Sequence, residues 1–168
     1  LSHLRLATQE LEKVEGLEEQ IVEVEQKIGQ IKENLAISAL KLSERRRLSA
    51  SQLADGVEQQ LHLLEMEKAR FQVAQSVVET EQGLELDGRA LAFDTNGVDQ
   101  IEFLIETNPG EGFKPLAKTA SGGETSRLML ALKTVLAEVD HIPTLVFDEI
   151  DSGIGGRVGM TVGGMLWD

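Results

Sequence analysis

Seven apolar residues, Val14, Leu17, Ile21, Val24, Ile28, Ile31 and Leu35, follow one another at spacings of three and four in strict alternation. Only a helix brings such positions onto one stripe. A stripe this narrow is the seam of a coiled coil, not the broad face a helix turns to a globular core. Glu18, Glu25, Lys27 and Lys32 hold the flanking positions, where ion pairs between helices form. Upstream, Leu4, Ala7, Leu11 and Val14 keep the pattern, but two three-residue steps meet at Val14, so the register stammers beside Gly16. Leu42, Leu53, Val57, Leu61 and Leu64 carry a helical pattern on to about residue 70, with Gly56 a soft spot. No second long seam follows, so the partner helix is expected from another segment or another chain. Residues 1–70 are read as a coiled-coil arm.

At Phe71 the period changes. FQVAQSVVE, rich in Val, reads as a strand, and RALAFDT as a candidate second between the turn-prone pairs Asp87-Gly88 and Asn96-Gly97. QIEFLIE alternates Ile101, Phe103 and Ile105 with Glu102, Leu104 and Glu106, the pattern of a half-buried strand. Asn108-Pro109-Gly110 then opens a loop that runs through Gly112 and Pro115. A long helix is expected from Ser121, with Leu128, Ala131, Leu132, Val135, Leu136 and Val139 on one face, ending at His141-Ile142-Pro143. TLVF, an unbroken apolar run, reads as a strand buried on both faces. It leads directly into Asp148, Glu149 and Asp151, and the stretch beyond is rich in glycine. The expected class is α/β.

Composition narrows the function. Without Cys there is no disulfide framework, thiolate metal site or cysteine nucleophile, which fits a reducing, cytoplasmic compartment. No apolar stretch approaches the roughly 20 residues of a membrane span. The N-terminus has neither a signal-peptide core nor an initiator Met, so the chain is expected to be a fragment. Residues 1–70 carry 10 basic and 13 acidic side chains, residues 71–168 only 6 and 16. So acidic a second part argues against a broad DNA-binding face there, because phosphate contacts need clustered Lys and Arg. The one basic knot, Arg45-Arg46-Arg47, reads as a solvated helix face.

Two motifs carry chemistry. In Ser121-Gly122-Gly123-Glu124 the serine and glutamate have capping-box spacing, which accounts for a helix start. It does not account for two glycines between them, each costing about 1 kcal/mol in a helix relative to Ala. Glycine there exposes backbone N–H groups at the positive helix end with no Cβ to hold an anion away, so a phosphate is the alternative reading. The stretch is not a P-loop: GxxxxGK[ST] occurs nowhere, and no glycine is followed by Lys. In TLVFDE, two acids end an apolar strand. One carboxylate there could hold Mg²⁺ through water and the other could orient or deprotonate an attacking water. A strand that merely stops in a polar loop would look the same.

Order and spacing combine the two. A glycine-rich helix start, an amphipathic helix, a proline and then TLVFDE resemble the C-terminal lobe of an ABC-type P-loop ATPase head. SGGE looks like the signature motif, TLVFDE like Walker B and Asp151-Ser152-Gly153 like the D-loop. NPGEGFKPLAKTASGGETSRLMLALK with TLVFDEIDSGIGG is most similar to the SMC-like, DNA-repair branch of that family. The likeness is close over about 100–164, looser over 42–80, and along 1–41 only coiled-coil-like.

The resemblance implies a coiled-coil arm over 1–70 and the head lobe over 71–168. In such heads the signature helix meets the γ-phosphate of ATP held by the other head of a dimer. Ser121, Gly122, Gly123 and Glu124 would then form the trans nucleotide site. Asp148 would support Mg²⁺, Glu149 would act as general base, and Asp151 would help join the heads. The implied partners are a second head, the missing N-terminal lobe and opposing arm helix, and DNA, with no membrane, in a nucleoid-associated bacterial protein. The Walker A lysine, the Q-loop and the switch histidine after Walker B are absent from the 168 residues, so the chain alone is expected not to turn ATP over. His141 precedes Walker B and reads as a helix-end residue. Two other classes stand beside this reading. One is a coiled-coil interaction module with an acidic globular cap, for which paired acids at a sheet edge have no use. The other is a transporter-type ABC subunit, which a heptad arm entering the head fits less well.

Overall fold

A computed structural model describes residues 2–118, 122–137, 139, 144, 146 and 156–167. Helix α1 (Ser2–Leu63) is followed by strands β1 (Arg70–Ser76), β2 (Glu79–Leu86), β3 (Arg89–Leu91), β4 (Gln100–Glu106) and β5 (Lys114–Pro115). A 3₁₀ turn (Leu116–Lys118) and helices α2 (Gly122–Leu136) and α3 (Gly156–Trp167) complete the order. The class is mixed helix and sheet, and every strand pairing among the described residues is antiparallel. The chain groups into two compact units, residues 1–43 with 78–98 and residues 44–77 with 99–168, so α1 contributes to both.

In the first unit, Val14, Leu17, Ile21, Val24, Ile28 and Ile31 stand 47–64% exposed along α1, a seam left open by the described residues. Leu35, Ala36 and Ala39 continue that helix into a small core with Leu84, Leu86, Leu91 and Val98. Strands β2 and β3 supply three of those residues as a hairpin turned at Asp87-Gly88. Both turn residues have positive φ (50° and 76°), as a tight two-residue hairpin turn requires. The register slips between Glu79 and Leu84. At the slip a Cβ on Gly83 would lie 2.5 Å from Leu91 N and 2.6 Å from Leu91 C, and would meet Leu91 O as well. Only glycine lets the two backbones approach so closely.

The second unit holds the larger core. Val57 and Leu61 of α1 and Leu64 just beyond it pack with Phe71 of β1, Ile105 of β4, and Leu128, Leu130, Ala131 and Leu132 of α2. Strands β1 and β4 pair over their whole length, and β5 adds to β4 through Lys114 and Pro115. The ring centroids of Phe71 and Phe103 lie 5.6 Å apart and tilted. Glu58 Oε1 accepts the Phe71 N–H at 2.9 Å, tying α1 to the start of β1. Asp99, with 2% of its side chain exposed, accepts from Arg46 Nη1 at 2.9 Å and Gln75 Nε2 at 2.8 Å.

Several expectations need adjustment. Helix α1 ends at Leu63, not near 70, in a Schellman-type cap. The Met66 N–H reaches Leu61 O at 2.9 Å and the Glu65 N–H reaches His62 O at 3.2 Å, with Glu65 at φ 56° in the place usually held by glycine. Met66 folds back onto the core that contains Leu61, the apolar contact that accompanies such caps. Helix α2 ends at Leu136, and Val139 beyond it is exposed. Thr144 and Val146, the two described residues of TLVF, belong to no strand, and Val146 is 89% exposed. A strand buried on both faces needs parallel neighbours, and the described residues contain none. The basic knot is mostly paired: Arg46 with Asp99, and Arg47 with Glu44 at 2.8 Å.

Candidate functional site

The site is built around the start of α2. Gly122, Gly123 and Glu124 form its first turn, with Gly122 exposed and the next two partly so. The N–H groups of a first turn have no partner within the helix, and the helix dipole makes that end positive. An exposed glycine backbone at such an end suits an anion. Four of the buried side chains that anchor α2 follow at once in the apolar run Leu128–Leu132, so the first turn sits on a well-packed helix.

Beside this turn lies an open cleft of about 270 Å³. Glu124 and Arg127 of α2 form one side. Glu65, Met66, Glu67 and Lys68, which follow the end of α1, and Thr107 and Asn108, which follow β4, form the rest. Three acids and two bases line it, so it is a mixed-charge cleft and not an anion trap. Its loop wall is internally braced. Asn108 Nδ2 donates to Glu111 Oε1 at 2.9 Å, and Lys114 Nζ to Glu111 Oε2 at 3.0 Å. Lys114, and after it Asn108, hold the Glu111 carboxyl below its ordinary range.

Of the expected site residues, Gly122, Gly123 and Glu124 come together in the one turn. Ser121, Asp148, Glu149 and Asp151 lie outside the described residues, as does His141. Among the described residues no three His, Asp or Glu side chains are grouped so as to hold a metal ion. One residue was missed. Glu106 was expected on the polar side of β4 but is 8% exposed, and its Oε1 accepts the N–H groups of Gly110 and Gly112, each at 3.0 Å. The signal was there to read: an acid ends the strand immediately before a loop with two glycines, whose N–H groups can turn inward.

No family model matches the chain. It is similar to curated proteins named DNA repair protein RecN. The one from Halalkalibacterium halodurans is 38% identical over 92% of this chain and 26% of its own length. That from Treponema pallidum is 42% identical over 83% of this chain and 23% of its own length. That from Streptomyces coelicolor is 40% identical over 76% of this chain and 22% of its own length. The chain thus spans about a quarter of the length of the relatives it matches. No helix among the described residues is long and apolar enough to cross a membrane.

Proposed function

The chain belongs to the RecN family of bacterial DNA repair proteins, and from that premise we propose that it is the arm-to-head segment of an ATP-driven repair protein, with Gly122–Glu124 serving as a signature motif that reads ATP bound by a second head. The observation that carries this reading is the exposed glycine start of α2 in a chain without a P-loop. Such a turn can receive a phosphate but cannot by itself hold a nucleotide. In the ATPase heads that this stretch resembles, the phosphate met by such a turn belongs to ATP held by the other head.

Within this reading residues 1–70 serve as arm and 71–168 as the C-terminal lobe of the head. The seam of α1 pairs with an opposing arm helix, and the N-terminal lobe supplies Walker A. Ser121 adds its hydroxyl to the phosphate site, and Asp151 helps join the two heads of a homodimer. ATP bound with Mg²⁺ supplies the phosphoanhydride to be cleaved. Asp148 would support the metal, and Glu149 would take a proton from the attacking water. The whole protein is then a cytoplasmic, nucleoid-associated ATPase acting on DNA, and this chain alone is inactive.

Glu149→Gln in the full-length protein tests the enzymatic part. The amide keeps the shape and loses the base, so ATP and Mg²⁺ binding should persist while turnover falls by about 10²–10⁴-fold and ATP-bound head dimers accumulate. Near-normal turnover would remove Glu149 from that role.

A further inference from the structure

We propose that Glu106 is a positioning residue for the signature turn, acting through the loop 107–113; this rests on the phosphate-reading role given above to Gly122–Glu124. Glu106 closes β4 with its side chain turned inward and 10% exposed. Its Oε1 gathers the N–H groups of Gly110 and Gly112, which lie at φ 90° and 75°. Backbone N–H groups in such conformations form a concavity that binds an anion, and here a carboxylate of the same chain fills it. The other oxygen, Oε2, lies 3.9 Å from Nη1 of Arg70, the residue facing Glu106 across the β1–β4 register. The Arg70 guanidinium in turn lies 5.4 Å from the centre of the Phe113 ring, at the far end of the loop. A buried carboxylate is costly unless its oxygens are bonded, and a surface loop ordinarily leaves its N–H groups to water. This loop is instead wrapped around one charged side chain.

What the loop does follows from where it goes. Thr107 and Asn108 line the same cleft as Glu124 and Arg127, so the start of the loop forms part of its wall beside the first two turns of α2. Beyond Phe113 the chain pairs back onto Leu104 and Ile105 of β4 through β5 and enters the 3₁₀ turn that precedes α2. By holding Gly110 and Gly112, Glu106 fixes both that wall and the strand that returns toward the signature turn. Its Oε1 is taken up by the two loop N–H groups, so its effect is on alignment. A misplacement near 1 Å costs about 100-fold in rate.

The test compares Glu106→Ala and Glu106→Gln in the full-length protein, reading hydrogen exchange over 107–113, ATP affinity, ATP-dependent head dimerisation, KM and kcat. Alanine should free the loop amides and lower dimerisation and kcat by about 10- to 100-fold, with ATP affinity and KM unchanged. Glutamine, which keeps an acceptor oxygen at the same reach, should recover most of both. Freed loop amides with full dimerisation and kcat would overturn the proposal. If the alanine variant does not fold, Glu106→Asp replaces it. Aspartate keeps the charge but is one methylene short of both N–H groups, so it should fall below glutamine. Wild-type kcat in both would overturn the proposal equally. Gly123→Asp is measured in parallel. If it leaves head engagement intact, the phosphate-reading role fails and this inference with it; if it abolishes engagement while the Glu106 variants do not, only this inference fails.

Discussion

Gly83 shows how much one position can decide. The slipped register of the β2–β3 hairpin puts the Leu91 backbone where a Cβ would be, and backbone cannot yield as the end of a flexible side chain can. Gly83→Ala should therefore destabilise the first unit by about 1–3 kcal/mol, the usual cost of forced overpacking. Hydrogen exchange at β2 and β3 should rise while the β1–β4 pair stays protected, and unchanged protection of the hairpin would show that the close approach is not required. Gly83 was not legible as special from its neighbours, and Glu106 was legible only from the two-glycine loop that follows it. A glycine inside a polar stretch suggests a bulge but not the strand it meets, and an alternating strand assigns Glu106 to water. Their roles come from contacts with Leu91 and with Gly110 and Gly112, which strand alternation does not encode.

Elements with a clear period were legible. The helix under the seam, the strand β4 and the turn at Asp87-Gly88 all stand where residue spacing put them, although burial in β4 does not alternate: Ile101 is exposed and Glu106 is buried. Strand β2 was missed because ETEQGLEL is acidic and poor in β-branched residues, although Leu84 and Leu86 flank Glu85 and run straight into the hairpin turn. Helix α3 was missed because Gly156, Gly159, Gly163 and Gly164 each lower helix propensity by about 1 kcal/mol. Val162 and Met165 pack it onto the larger core nonetheless, and tertiary burial overrides local preference.

The exposed seam makes its own prediction. Ile28 is 47% exposed in this chain, so Ile28→Asp should cost the chain little beyond helix propensity, a few tenths of a kcal/mol. In the full-length protein the same change buries a charge between two helices and should cost roughly 2 kcal/mol or more, with loss of arm crosslinks at seam positions. Equal stability and intact crosslinks in the full-length variant would refute the coiled-coil reading.

For the molecule as a whole, two compact units share one helix, and membership of a DNA repair family sits beside a strongly acidic second part. That family was legible because the motifs along 121–153 occur in a fixed order, even though Ser121, Asp148, Glu149 and Asp151 lie outside the described residues. Of TLVF only Thr144 and Val146 are described, and neither lies in a strand. What remains central is whether the start of α2 meets a phosphate or only begins a helix. Gly123→Asp in the full-length protein asks this directly. A carboxylate near a helix N-terminus favours the dipole by about 0.3–1 kcal/mol, so the helix itself should be little harmed. Facing a phosphate in a dehydrated interface, the same charge repels strongly. The measurement is ATP-dependent head dimerisation of that variant, with ATP affinity followed on the same sample. The account predicts normal ATP affinity and no dimerisation; dimerisation at the wild-type level would contradict it.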